Sequence, residues 1–112
     1  MSRKTAIITG ATKGIGKAIA ARFLQEGFDI GICARNEADL SGFKLLYEKQ
    51  FPGQKIVSRK ADLEQRRDAE QFGQDMLAEF GHIDILVNNA GVFLPGTVLE
   101  EEFEQLDRQI NT

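Results

Sequence analysis

Two rhythms of apolar and polar positions alternate along the chain. Residues 4–9 (KTAIIT) are short, apolar and β-branched, which predicts a strand. From Gly14 the spacing becomes helical: Ile15, Ala18, Ile19 and Phe23 fall on one face, and Gly27 is a good stop. Residues 28–34 (FDIGICA) read as a second strand. Asn36 can cap a helix over residues 37–50, with Leu40, Phe43, Leu46 and Tyr47 inward. Gly42 inside that helix costs about 1 kcal/mol against alanine. Pro52 and Gly53 punctuate, and residues 55–60 (KIVSRK) predict a third strand.

Asp62 precedes an amphipathic stretch over residues 64–80, with Ala69, Phe72, Met76 and Phe80 on one face and Gly81 at its end. Residues 83–87 (IDILV) form a nearly continuous apolar strand, the pattern of a strand covered on both faces. A loop with Pro95 and Gly96 follows, then a helix from about Leu99 with Phe103, Leu106 and Ile110 on one face. Its acidic start, Glu100 to Glu102, suits the positive end of a helix dipole. Strands alternating with helices through short connections predict a doubly wound α/β fold on a parallel sheet. In such sheets ligands bind at the carboxyl ends of the strands.

Composition narrows the class. The chain has 112 residues, 42% of them hydrophobic, which is one domain's worth. The longest apolar runs fall short of a membrane span, and the basic start is broken by a glycine turn, unlike a signal peptide. One cysteine, Cys33, excludes an internal disulfide and a cysteine-rich metal site; no metal is expected. A net charge of −3 gives no electrostatic reason to expect nucleic acid or an anionic membrane as partner. The expectation is a soluble, cytoplasmic domain.

The unusual residues gather at the strand ends. After the first strand comes Thr9-Gly10-Ala11-Thr12-Lys13-Gly14-Ile15-Gly16. Its three glycines permit a tight turn, close backbone approach and close helix–strand packing, and the helix that follows offers unpaired N–H groups to a phosphate. It is not the triphosphate-binding loop: Lys17 is one residue late from Gly10, and Ala18 stands where a hydroxyl is required. At the end of the second strand a fold that prefers NAD places an acid. Here stand Ala34 and Arg35, and arginine's fork of donors suits a ribose 2′-phosphate. Lys13 could approach the same phosphate; the plain alternative is two solvated surface cations. Asp62 and Leu63 close the third strand, with a helix N-cap as the plain alternative for Asp62. Asn88-Asn89-Ala90-Gly91 closes the fourth, where amides and a glycine can satisfy loop backbone and admit a ligand, or form a simple asparagine turn.

Together these residues resemble the classical short-chain dehydrogenase/reductase family. Residues 9–16 match its TGxxxGxG turn, Asp62 its adenine-contacting aspartate, and residues 88–91 its NNAG motif. The resemblance implies a Rossmann fold and hydride transfer between a nicotinamide cofactor and a carbonyl or alcohol carbon. It implies cofactor contacts at Gly10, Thr12, Lys13, Gly14, Ile15, Gly16, Arg35, Asp62, Leu63, Asn89, Ala90 and Gly91. Lys13 and Arg35 resemble the basic positions of members that prefer NADP(H), and Asn111 resembles the catalytic asparagine that holds a relay water. A small-molecule carbonyl or alcohol substrate and a homodimer or homotetramer are implied as well.

The match stops short of the family's serine and Tyr-x-x-x-Lys pair. The one tyrosine, Tyr47, is followed four residues on by Phe51 and lies on an inward helix face. Ser2, Ser41 and Ser58 all precede the required region, and His82 sits in a turn. Cys33, apolar-flanked in mid-strand, reads as a buried, inert thiol. The expectation is therefore a single NADP(H)-binding Rossmann domain over residues 1–112, truncated before the catalytic segment. A non-catalytic dinucleotide-binding or regulatory module and a dimerising half-fold remain as alternatives.

Overall fold

The computed structural model describes residues 3–89. Seven elements follow in order: β1 (Thr5–Thr9), α1 (Gly14–Gln25), β2 (Asp29–Ala34), α2 (Glu37–Gln50), β3 (Ile56–Lys60), α3 (Arg66–Phe80) and β4 (Ile85–Val87). The strands form a parallel sheet of order β3-β2-β1-β4. This is the expected doubly wound α/β, Rossmann-like fold. The helix expected from Leu99 and the loop at Pro95 lie outside the described residues.

Side-chain alternation in β1 and β2 divides the core. Ala6, Ile8, Ile30 and Ile32 face a cluster with Ala20 and Leu24 of α1 and Leu40, Phe43 and Tyr47 of α2. Ile7 and Cys33 face the other way, onto Ala69, Phe72, Met76 and Leu77 of α3. The sheet is thus covered on both faces, which is why its central strands carry no polar face. Every residue of β1 is buried.

Several expectations shift. Ile15 and Ala18 are exposed, Ile15 at 73%, and the buried line of α1 is Gly16, Ala20 and Leu24. The smallest residues face inward because α1 crosses β1 at close range. Ile19 and Phe23 flank that line as expected. In α2, Leu46 is 43% exposed; the Phe43 and Tyr47 rings, with centroids 4.6 Å apart, fill the space beneath the helix. The third helix begins at Arg66, two residues later than the amphipathic pattern, with Gln65 and not Asp62 at its N-cap. Its end at Gly81 is as expected, with φ of 78° in the left-handed region. β4 is shorter than its apolar run and only half-buried. Among the described residues it is an edge strand, yet its side chains reach both cores as its composition suggests, Ile85 and Val87 packing on the α1–α2 side and Leu86 on the α3 side.

Gly31 lets α3 reach β2. A Cβ there would overlap the Met76 sulfur and stand 2.7 Å from Ile7 Cδ1. Replacing Gly31 by valine should therefore destabilise the fold by about 1–3 kcal/mol through overpacking. Urea titration of both forms measures this, and equal midpoints would refute the close-packing account.

Candidate functional site

The carboxyl ends of β1, β2 and β3 open onto one cavity of about 460 Å³. Gly10, Thr12 and Lys13 contribute from the turn after β1. Cys33, Ala34, Arg35, Asn36 and Asp39 contribute from β2 and the start of α2. Ala61, Asp62, Leu63 and Glu64 come from the end of β3, and Asn89 from beyond β4.

The turn is shaped by backbone that glycine adopts freely. Gly10 and Gly14 have φ of 63° and 57°. Gly16 is required for a different reason. A Cβ there would overlap the Gly10 carbonyl oxygen and lie 2.5 Å from Asn89 Nδ2. α1 therefore starts hard against the end of β1. No side chain caps its N-terminus, and its first turn carries no acid. By contrast, the N-terminus of α2 is filled: Asn36 Oδ1 accepts the Asp39 N–H at 3.1 Å, and Glu37 and Asp39 sit in its first turn. The exposed, uncapped donors of α1 are those a phosphate can accept from.

β4 is pinned to β1 at both ends. Asp84 Oδ2 accepts the Thr5 N–H at 2.7 Å, while the Asp84 N–H donates to the Thr5 carbonyl at 3.0 Å. At the other end, the fully buried Thr9 hydroxyl accepts the Asn89 N–H at 2.8 Å and donates to Asn88 Oδ1 at 3.1 Å. Asn89 Nδ2 reaches the Gly10 carbonyl at 3.5 Å. The asparagine pair is thus stitched to the glycine turn, beyond what a simple asparagine turn needs.

Asp62 is held in a turn of its own. Its Oδ1 accepts the Glu64 N–H at 3.0 Å, and its own N–H donates to Asp68 Oδ2 at 2.8 Å. The N-cap reading of Asp62 fails because three further residues separate it from α3, and Gln65 holds the N-cap position. Lys13 Nζ lies 3.5 Å from Asp39 Oδ2, with the lysine side chain 81% exposed. Arg35 is exposed and, among the described residues, makes no ion pair. Cys33 is buried, and desolvation pushes its thiol up to about 12, against a smaller downward pull from a backbone hydrogen bond at Gly10.

The cavity brings together Gly10, Thr12, Lys13, Arg35, Asp62, Leu63 and Asn89 of the sequence candidates. Gly14, Ile15 and Gly16 shape the start of α1 without lining it. Ala90, Gly91 and Asn111 lie outside the described residues. Sequence reasoning did not place Asp39 or Glu64 in the site. Their signal was position alone, within five residues of a strand end.

The chain belongs to the short-chain dehydrogenase family, whose model matches residues 4–112. A diacetyl reductase, (S)-acetoin forming, of Staphylococcus epidermidis is 42% identical over 110 residues, covering 96% of this chain and 41% of that protein. L-fucose dehydrogenase of Mus musculus is 35% identical over 109 residues, covering 97% and 38%. The chain thus spans about two-fifths of the length of these curated relatives. Among solved structures, YwfH, an NADPH-dependent reductase of bacilysin biosynthesis, superposes with a TM-score of 0.78 at 28% identity, over 84% of this chain and 40% of that one. A metagenomic short-chain oxidoreductase in complex with NADP gives 0.78 at 27% identity, over 91% and 55%. Among the described residues no helix is long and apolar enough to cross a membrane.

Two outcomes follow from the geometry. Thr9→Val keeps the shape but strands the half-buried Asn89 N–H, and should lower stability by about 1–3 kcal/mol in urea unfolding, with Thr9→Ser milder. A Thr9→Val protein as stable as the parent would remove the hydroxyl from the β1–β4 junction. Cys33 should resist a thiol-specific reagent at pH 8 in the native protein and react once the chain is unfolded. Rapid native labelling would contradict its burial.

Proposed function

We propose that the chain is the N-terminal, cofactor-binding portion of an NADP(H)-dependent oxidoreductase. The whole enzyme would transfer hydride between the cofactor and the carbonyl or alcohol carbon of a small molecule. The observation that carries this reading is the convergence of two cations, Lys13 and Arg35, on one cavity beside the uncapped start of α1. No acid stands at the end of β2, where Ala34 leads directly into Arg35. A pyrophosphate suits the exposed N–H groups after Gly14, and a 2′-phosphate suits the two cations.

In this reading Gly10, Thr12, Gly14, Ile15 and Gly16 form the phosphate turn, and Lys13 and Arg35 hold the 2′-phosphate. Asp62 and Leu63 receive the adenine, with Asp62 fixed by Asp68 and by its own turn. Asn89 faces the cofactor from beyond β4, and Ala90 and Gly91 are assigned to it by family resemblance. When bound, NADP(H) supplies or accepts the hydride. Asn111 is proposed, by family resemblance, as the residue that holds a relay water. The names of the diacetyl reductase and L-fucose dehydrogenase relatives support a small carbonyl or alcohol substrate. A cytoplasmic homodimer or homotetramer completes the proposal. The dinucleotide-binding module without chemistry is the less favoured reading, since the curated relatives named above are enzymes.

The test is a fluorescence titration of the full-length protein with NADPH and NADH. NADPH should bind more tightly, and Arg35→Asp should weaken it by roughly 30-fold or more, the loss of a charge-assisted pair. A stronger affinity for NADH, or an Arg35→Asp protein with unchanged preference, would sink the NADP(H) reading.

A further inference from the structure

The cation pair in the cavity is not free of negative charge. Asp39, in the first turn of α2, lines the same cavity as Lys13 and Arg35. Its Oδ2 lies 3.5 Å from Lys13 Nζ, and a third of its side chain remains exposed. The Asn36 cap engages its backbone N–H, which fixes the helix turn that presents the carboxylate. Arg35, four residues earlier, makes no ion pair among the described residues. The two cations are therefore unequal: one faces solvent unpaired, the other is shared with a carboxylate.

We propose that Asp39 tunes the cofactor preference of this chain by competing with the ribose 2′-phosphate for the Lys13 ammonium. The inference rests on the NADP(H) reading above. A 2′-phosphate entering beside Arg35 must draw Lys13 from Asp39 or share it, and it also meets the carboxylate's repulsion through Lys13's partly spent charge. A ribose 2′-hydroxyl carries no charge and makes no such demand. Asp39 thus weakens the phosphorylated cofactor selectively and keeps the site within reach of the unphosphorylated one. The ordinary role of an acid in a helix's first turn is to stabilise the helix dipole. That role has no dependence on the 2′-phosphate or on Lys13, so the two are separable.

The probes are 2′,5′-ADP and 5′-AMP, titrated calorimetrically into the full-length protein. Wild type should prefer 2′,5′-ADP. Asp39→Asn should tighten 2′,5′-ADP about three- to tenfold and leave 5′-AMP within about twofold. The gain should shrink as salt rises, because the pair is partly exposed and screened over about 10 Å at 0.1 M ionic strength. Asp39→Ser, which removes the charge with a different side chain, should act alike. In a Lys13→Met background the gain from Asp39→Asn should fall below about twofold. An unchanged ratio of the two nucleotides in both Asp39 variants overturns the proposal. So does an equal gain for both nucleotides, or a gain that persists undiminished without Lys13. A wild type that binds both nucleotides equally overturns the NADP(H) reading itself, a failure visible before any variant is made.

Discussion

The missing side chain at residue 16 is the constraint on which the site depends. Three backbone segments meet there: the end of β1 at Gly10, the start of α1, and Asn89 after β4. A methyl group in that space would push α1 away from the sheet. The first turn of the helix would then no longer stand over the strand ends, and Asn89 would lose its place against the Gly10 carbonyl. The same close approach explains why α1 buries Gly16 and Ala20 and turns Ile15 outward. Packing and anion recognition share one cause.

Around this point the structure distributes charge unevenly. The cations come from the ends of β1 and β2 with the acid Asp39 beside them, and the acids Asp62 and Glu64 come from the end of β3. Asp62, Asn36 and Asn89 are anchored by hydrogen bonds, Asp62 with Glu64 and Asp68, Asn36 with Asp39, and Asn89 with Thr9 and Gly10. The cations are held far more loosely, by one exposed ion pair at Lys13 and none among the described residues at Arg35. Fixed acceptors and mobile cations suit a ligand whose phosphates arrive with their own charge and order the lysine and arginine on binding.

Much of the architecture was legible because each element carries its own period. The strands stood out as short β-branched runs, and three helices were bounded by glycine, by asparagine or by both. What failed was rotation, not existence. Ile15 and Leu46 satisfy a helical face on spacing alone, yet the inward face is chosen by what lies opposite. For α1 that is bare backbone at Gly10, and for α2 it is a sheet face already filled by Phe43 and Tyr47. β4 was legible in this respect: its apolar run sends Ile85 and Val87 to one core cluster and Leu86 to the other. In the site, glycines, Arg35 and Asp62 were visible because their residue types are unusual at strand ends. Asp39 and Glu64 are ordinary surface acids by type, and only the folding of α2 and the β3 loop brings them to the cavity.

The seam between β1 and β4 also orders events in time. The bonds that complete the glycine turn link residues 79 or 80 positions apart, Thr9 to Asn88 and to Asn89. The β1–β2 pairing, which starts from Thr5 opposite Asp29, closes a far smaller loop. Contacts so distant along the chain carry a larger closure entropy and form slowly. On the ribosome, the turn at residues 10–16 emerges well before residue 89, and it cannot take its final shape until residue 89 has followed. Until then β1 has one open flank, and the nascent chain is shielded from misassociation only by the pairing of β1 with β2. A turn laid down at residues 10–16 is thus finished only once the strand some eighty positions later has docked.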